Sequence, residues 1–463
     1  MNSRRSPAAR AIVATTSFVV AAALLVPGST QAQATRTNSL KSVHPALPAD
    51  LTDVSSTFAI APLPAVSHLE LGVTHTQSSP LVAASANGSL PGDTQRIVQI
   101  LRQTASTQNV SLMGWGVGNP EPSPGIFSFS TLDARVRLIL QGGGTPVITL
   151  CGAPDWMKGG VAGQTDWSQI NTAPRPAYYA AFAQLAVTVA RRYPEIHTFQ
   201  IWNELKGFWN TATNNWNMPA FVSFYNTVYD ALKSYNPNLL IGGPYVPLTT
   251  WGSPTAGGHP SALAGPWGTV DQRSLDAISY FLKYTHGTSF LALDGGIDPK
   301  DGILPVNPFA AVGEFTAVDH WIEIRSRLPI WWSEWYVGLP KMNLNPQLWA
   351  ALATVALGQL ATSGASTALM WDPGQWSGSA TPGLWTGALT PTGVTPTALV
   401  PVFAAFKQWF TDGTPLTATS PVAGVVELTS GAHRILVDTS PLPLTVPTST
   451  GTVRLSPYQI FTS

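Results

Sequence analysis

Eight short β-type runs alternate with amphipathic segments of helical period between residue 68 and residue 371, and this confines the chain to parallel α/β architectures. The runs are His68–Thr74, Asn109–Trp115, Thr145–Leu150, His197–Asn203, Leu239–Tyr245, Ser289–Asp294, Leu328–Trp335 and Thr367–Trp371. Helical stretches between them include Leu132–Gln141, Ala177–Arg192, Pro219–Ser234, Ala310–Arg327 and Gln347–Thr362. In Ala177–Arg192, Phe182, Leu185 and Val189 share one face, and Arg191 and Arg192 sit in the last turn, where cations suit the helix dipole. Eight strand–helix units fit a closed (β/α)₈ TIM barrel better than an open sheet. An open doubly wound sheet would carry a glycine-rich phosphate turn after an early strand, and Gly114, Gly116 and Gly118 lack that spacing. Gly142, Gly143 and Gly144 follow a helix and read as its stop.

The flanks have a different character. Arg4, Arg5 and Arg10 precede an apolar run from Ala11 to Val26, and Ala32-Gln33-Ala34 offers small residues for cleavage, the order of a secretory signal peptide over residues 1–34. Residues 35–66 read as an irregular leader rich in Pro, Ser, Thr and Ala. The barrel is expected over 67–412. Residues 413–463 hold short alternating runs (Val422–Leu428, His433–Asp438, Pro443–Val446, Thr452–Leu455) that suggest a small C-terminal β-sandwich domain. A secreted protein with no stable membrane insertion after cleavage is the expectation.

Composition narrows the chemistry. Lys+Arg (24) balance Asp+Glu (24), so no basic face argues for nucleic acid. Cys151 is the single cysteine and the eight histidines are scattered without ligand spacing, so no disulfide, metal or cofactor is expected, with a carboxylate-only calcium site left open. No Gly-x-Ser-x-Gly elbow supports a serine hydrolase. The 17 Trp hint at a carbohydrate partner, although a large core absorbs many of them.

In barrel enzymes, catalytic groups stand at the carboxyl ends of strands. Two carboxylates do so here, Glu204 in Ile201-Trp202-Asn203-Glu204 and Glu334 in Trp331-Trp332-Ser333-Glu334-Trp335. They end the fourth and seventh strands, which face each other across a barrel mouth. Glycosidic cleavage needs such a pair, one acid to protonate the leaving oxygen and one carboxylate on the sugar's other face. Trp202, Trp332 and Trp335 are expected to give the acid its low-dielectric setting, and Asn203 and Tyr336 to donate to the nucleophile.

These residues resemble the retaining glycoside hydrolases of clan A, and within it family 39, the β-xylosidase and α-L-iduronidase group. The resemblance spans about residues 68 to 410 and extends to the appended β domain. It also includes Trp115, the stretch Pro124-Gly125-Ile126-Phe127-Ser128-Phe129 to Leu132-Asp133, Ala153-Pro154-Asp155-Trp156, and Trp371 at the eighth strand. It implies Glu204 as acid/base, Glu334 as nucleophile and Asn203 as partner of the sugar 2-hydroxyl. One position departs: where many members end the sixth strand in an aromatic residue or His, this chain has Asp294, read either as a turn cap or as a sugar ligand. Further candidate substrate contacts are His75, Trp115, Trp156, Tyr245, Tyr336 and Trp371. Trp209, Trp251 and Trp376 are loop candidates, while Trp349, Trp409 and Cys151 read as core. A catalytically inactive carbohydrate-binding or wall-associated protein on the same scaffold is the alternative. The sugar, the linkage, exo or endo action and the oligomeric state stay open.

Overall fold

The computed structural model describes residues 65–77, 92–253, 255–303, 305–338, 345–374, 383–388, 390, 392–410, 413–448 and 451–463. The expected signal peptide, most of the leader and Trp376 lie outside them. Eight parallel strands close into a barrel: β1 (Glu70–Thr74), β2 (Thr107–Ser111), β3 (Thr145–Leu150), β4 (Thr198–Ile201), β5 (Leu240–Pro247), β6 (Phe290–Gly296), β7 (Ile330–Tyr336) and β8 (Ala365–Trp371). Each strand pairs with its chain neighbour, and β8 closes on β1 through Thr367–Glu70 to Trp371–Thr74. Every run expected from the sequence forms its strand, with ends shifted by a few residues; β2 stops at Ser111, short of Trp115.

The outer layer is α1 (Asp93–Thr104), α2 (Ser130–Gln141), α3 (Tyr179–Arg192), α4 (Met218–Tyr235), α5 (Gln272–Tyr284), α6 (Gly313–Glu323), α7 (Pro346–Ser363) and α8 (Leu399–Trp409). Local chemistry sets several starts: Asn217, Asp271 and Asn345 accept from the backbone N–H of Ala220, Arg273 and Leu348, and Pro occupies the first turn of α4 and α7. No helix among the described residues is long and apolar enough to cross a membrane.

Helix α7 is buried on nearly every side, including Leu348, Trp349, Leu352, Val355, Leu357 and Leu360. It lies between β8 and a second sheet, so an all-round apolar sequence is what its two neighbours require. That sheet is antiparallel and orders the strand Ala65–Ser67, β9 (Thr414–Thr419), β10 (Val425–Ser430), β11 (His433–Asp438) and β14 (Ile460–Thr462). A hairpin of β12 (Leu444–Thr448) and β13 (Gly451–Leu455) completes a sandwich-like module, with Val425, Leu436, Val446 and Leu455 between the layers. Ala65 and Val66, assigned to the irregular leader from sequence, instead form the edge of this sheet: Ala65 pairs with Leu416 and Ser67 with Thr414. A three-residue strand is too short for alternation to reveal it.

Candidate active site

The site is built at the carboxyl ends of the strands by local departures from regular backbone. On β7, Trp332 pairs with Leu293 but Glu334 pairs with Asp294, so Ser333 is an extra residue in the ladder. This bulge lets Ser333 and Glu334, consecutive in sequence, both serve the barrel interior and mouth. On β5, Pro244 pairs with Ala292 and Val246 with Leu293, leaving Tyr245 as the extra residue, at φ 55°. Beyond β4 the chain turns through left-handed backbone at Trp202, Glu204, Leu205 and Gly207 (φ 71°, 49°, 53° and 80°). Positive φ at three non-glycine residues is a strained arrangement, and such strain gathers at functional sites.

A closed circuit of polar side chains lies one residue below Glu334. Ser333 Oγ donates to Gln200 Oε1, Gln200 Nε2 to Thr149 Oγ1 (3.1 Å), and Thr149 Oγ1 to Asn109 Oδ1 (2.8 Å). Asn109 Nδ2 donates to Thr74 Oγ1 (3.1 Å), and Thr74 Oγ1 returns to the Ser333 carbonyl (2.5 Å). The circuit joins β7, β4, β3, β2 and β1. With every donor running in one sense, the bonds polarise one another and fix the floor of the site. These polar residues inside apolar strands were visible in the sequence, but their partnership was not.

Above this floor, Glu334 Oε1 accepts from the Tyr245 hydroxyl (2.9 Å) and from Asn203 Nδ2 (3.2 Å). The same hydroxyl lies 3.2 Å from the Ser333 carbonyl. Lys206 Nζ contacts both Asn203 Oδ1 and Glu204 Oε1 at 2.6 Å and stands 4.8 Å from the centroid of the Trp115 ring. Lys206 thus ties the two halves together: it fixes which way the Asn203 amide faces, and so presents Nδ2 to Glu334. Sequence reasoning missed it, because a charged residue two positions after Glu204 looks like an ordinary surface lysine until the left-handed turn folds it back. Burial opposes the Lys206 charge, but Glu204 and Glu334 outweigh it and hold its pKa above the ordinary value.

Glu204, Asp294 and Glu334 each turn one oxygen inward, and these oxygens all lie within 4.8 Å of one another. This is the group among the described residues that could hold a metal ion. The Lys206 ammonium already rests against one of these carboxylates, Glu204, at 2.6 Å. Burial first, and the charge of Glu204 second, push Glu334 up to about 7, against the pull of Lys206, Tyr245 and Asn203. Asp294 is raised well above the carboxylate range, by burial and then by the two glutamates.

The remaining candidates divide. Tyr336, expected to donate to Glu334, instead packs 5.9 Å from Trp371, against a glycine at 296 where a Cβ would sit 2.0 Å from its ring; Tyr245 takes the donor role. Trp202, Trp332 and Trp335 do not surround the carboxylates. They point outward, Trp202 onto Phe182, Phe208 and Phe224, Trp332 onto Phe315 with its N–H on Asp319, and Trp335 onto Phe403. Alternation sends Trp335 outward beside inward Glu334, the bulge at Ser333 leaves Trp332 on that outer face too, and Trp202 lies beyond β4 on left-handed backbone, none of which adjacency in sequence reveals. Asp294 caps no turn: its Oδ1 is buried without a partner.

His75 is buried against Gln108, and burial, then the Arg135 charge, lowers it to about 4. Trp156 donates to the Glu121 carbonyl and sets its ring edge against Tyr178. Trp209 is 42% exposed against Trp216, and Trp251 donates to Asp271. Cys151 and Trp349 are buried in the core.

No family model matches the sequence, and no curated protein does. Solved structures do. A conserved exported protein from Bacteroides fragilis matches with TM-score 0.61 at 11% identity, over 86% of this chain and 98% of that one. A family 39 β-xylosidase from Caulobacter crescentus matches with TM-score 0.52 at 16% identity, over 83% and 81%. A family 30 endoxylanase from Clostridium papyrosolvens matches with TM-score 0.51 at 11% identity, over 86% and 96%. The chain shares its fold with glycoside hydrolases. At these identities the likeness carries the barrel and its appended sheet, and the chemistry has to be argued from the site.

Proposed function

We propose that the chain is a retaining glycoside hydrolase in which Glu334 is the nucleophile and Glu204 the acid/base. The observation that carries this reading is the approach of the two carboxylates, with oxygens within 4.8 Å of each other across the barrel mouth. Double displacement calls for carboxyl groups about 5–5.5 Å apart, whereas an inverting enzyme leaves room for a water with about 6.5–9.5 Å. Glu334 attacks the anomeric carbon as the glycosidic C–O bond breaks, and the Glu204 proton goes to the departing oxygen. Water then attacks the glycosyl-enzyme, gives its proton to Glu204, and releases Glu334.

The surroundings fit these roles. Glu334 has two donors on one oxygen, which stabilise the anion that must attack. Glu204 is more open, with its side chain 29% exposed beside Lys206, as suits a group that hands a proton to a departing oxygen. Its ion pair with Lys206 has to open as substrate enters, since an acid with a proton to give cannot keep a full ammonium contact. Glycoside hydrolases with related folds support a carbohydrate substrate, and the N-terminal sequence supports export.

The test is hydrolysis of aryl glycosides and polysaccharides by the purified protein, with product anomers followed by NMR. Retained configuration is expected. An inverted product removes the double displacement, and no cleavage across a broad panel removes the hydrolase in favour of a carbohydrate-binding protein.

A further inference from the structure

Among the described tryptophans, Trp167 and Trp209 are the exposed ones, at 47% and 42%. An indole left in water forgoes the burial that usually holds this side chain in a core, so one that is also rigidly mounted calls for a partner. Trp167 lies in a short 3₁₀ turn, Trp167–Gln169. Trp209 is clamped. It belongs to a hairpin of Trp209–Asn210 and Asn215–Trp216, in which it pairs directly with Trp216. The two indoles meet edge to face with centroids 5.4 Å apart. The Arg273 guanidinium lies over the Trp209 ring, 5.2 Å from its centroid. Arg273 is itself pinned: Nε and Nη2 fork onto Asp271 at 2.9 and 2.6 Å, and Nη1 donates to the Asn214 carbonyl at 2.9 Å. A ring held this firmly loses little freedom when something stacks on it.

The hairpin is tied to the acid as well. Phe208 packs on Trp202, two residues before Glu204, with centroids 6.3 Å apart. Trp209 follows Glu204 by five residues, so its backbone lies within about 18 Å of it. An acid delivers its proton only within hydrogen-bond reach, so the departing oxygen, and whatever it carries, lies beside Glu204 and this loop. The hairpin is polar around the indole. Asn210 and Asn215 give their side-chain oxygens to the backbone N–H of Ala212 and Trp216, at 3.0 and 2.7 Å, which leaves their amide N–H groups to donate elsewhere. An aromatic surface bordered by amide donors matches a pyranose, with its apolar C–H face and its rim of hydroxyls.

We propose that Trp209 is a stacking platform for a sugar of the leaving group, so that the substrate is an oligo- or polysaccharide whose departing portion is itself carbohydrate. This rests on the hydrolase reading above and deepens it by naming the leaving group.

The experiment measures binding and turnover separately. The probes are oligosaccharides from dimer to hexamer, drawn from plant and microbial polysaccharides, and nitrophenyl glycosides of the same sugars. Binding is titrated by calorimetry in the E334Q background, which prevents cleavage, alone and combined with W209A, W209Y or W167A. W209A is expected to weaken oligosaccharide binding at least about tenfold, W209Y to recover most of that loss, and W167A to bind as its parent does. With Glu334 in place, W209A should lower kcat/KM on oligosaccharides about tenfold more than on nitrophenyl glycosides, a split that general destabilisation does not produce. Oligosaccharide binding unchanged by W209A, an equal loss in W167A, an unaltered ratio of the two kcat/KM values, or no oligosaccharide bound at all overturns the proposal. Binding that depends on Trp209 without cleavage of any probe instead sinks the hydrolase reading and leaves the sugar platform standing.

Discussion

The turn that carries Glu204 and the bulge that carries Glu334 solve one problem in two ways. Glu334 belongs to a barrel strand, is 8% exposed, and stands on a hydrogen-bonded floor that spans five strands. Glu204 lies beyond its strand, on left-handed backbone, and is held by a single flexible lysine. The first arrangement is rigid and desolvated, as suits a nucleophile that must be aimed. The second is open and releasable, as suits a proton carrier that serves a leaving group and then a water. Precision comes from the sheet and adaptability from the loop.

Removing each carboxylate should break this contrast most visibly. E334Q should lower turnover by about 10⁴-fold or more on every substrate, because the covalent step is lost whatever the leaving group. E204Q should lose about 10²–10⁴-fold on alkyl or sugar leaving groups. It should be largely spared in the first step on dinitrophenyl glycosides, which leave without a proton, and mass spectrometry should then find the glycosyl-enzyme accumulating. If E204Q is equally inactive on activated and unactivated substrates, Glu204 is not the acid.

Lys206 joins the two arrangements, so its loss should sharpen the comparison. K206M frees the Asn203 amide to turn and unpairs Glu204, and kcat/KM should fall by roughly 100-fold, the scale on which small misplacements act. Electrostatics gives a second readout. Lys206 lowers Glu334, so without it the acidic limb of the pH–rate profile should move upward. A K206M enzyme with lower activity and an unmoved limb would reduce Lys206 to a structural role.

Tyr245 tests the nucleophile alone. The acidic limb of kcat/KM in the free enzyme should titrate near 7, where Glu334 ionises, as a property of the coupled pair of glutamates. Y245F removes a donor that favours the Glu334 anion, so the limb should rise by about one pH unit, the equivalent of a hydrogen bond to a charged group. A downward move would show that the hydroxyl does not stabilise the anion.

How far these arrangements were legible depended on whether they were local. The strand–helix alternation is a short-range pattern, and Thr145–Leu150 emerged with its ends intact. Glu204 and Glu334 stood out because strand ends are where a barrel collects its chemistry. The donors to Glu334 were half found: Asn203 was adjacent to a marked residue, but Tyr245 acts through a bulge that no sequence period announces. Lys206 required knowledge of the turn, and the tryptophans near each glutamate misled because a bulge on β7 and the left-handed turn after β4 decide which way they face. Ala65–Ser67 escaped because its partner lies some 350 residues later, at Thr414 to Leu416.

The smallest effect separates burial from neighbouring charge. Glu334 feels both, whereas Glu314 of α6, paired with Thr250, is raised to about 8 chiefly by burial, with a lesser push from Asp298. Between the ordinary carboxylate range and about 8, the native state therefore holds a proton there that the unfolded chain has released. Stability should fall as pH rises through that window. His75, lowered to about 4, acts in the opposite sense, but only up to its ordinary value of 6.5, so melting temperatures between about pH 6.5 and 8 isolate the acids. E314Q keeps the shape and an acceptor for Thr250 and should flatten that decline. E334Q should flatten it chiefly below about 7, where Glu334 finishes ionising. If E314Q melts with the wild-type slope, Glu314 is not held protonated, and burial alone is too weak in this barrel to explain the proton on Glu334.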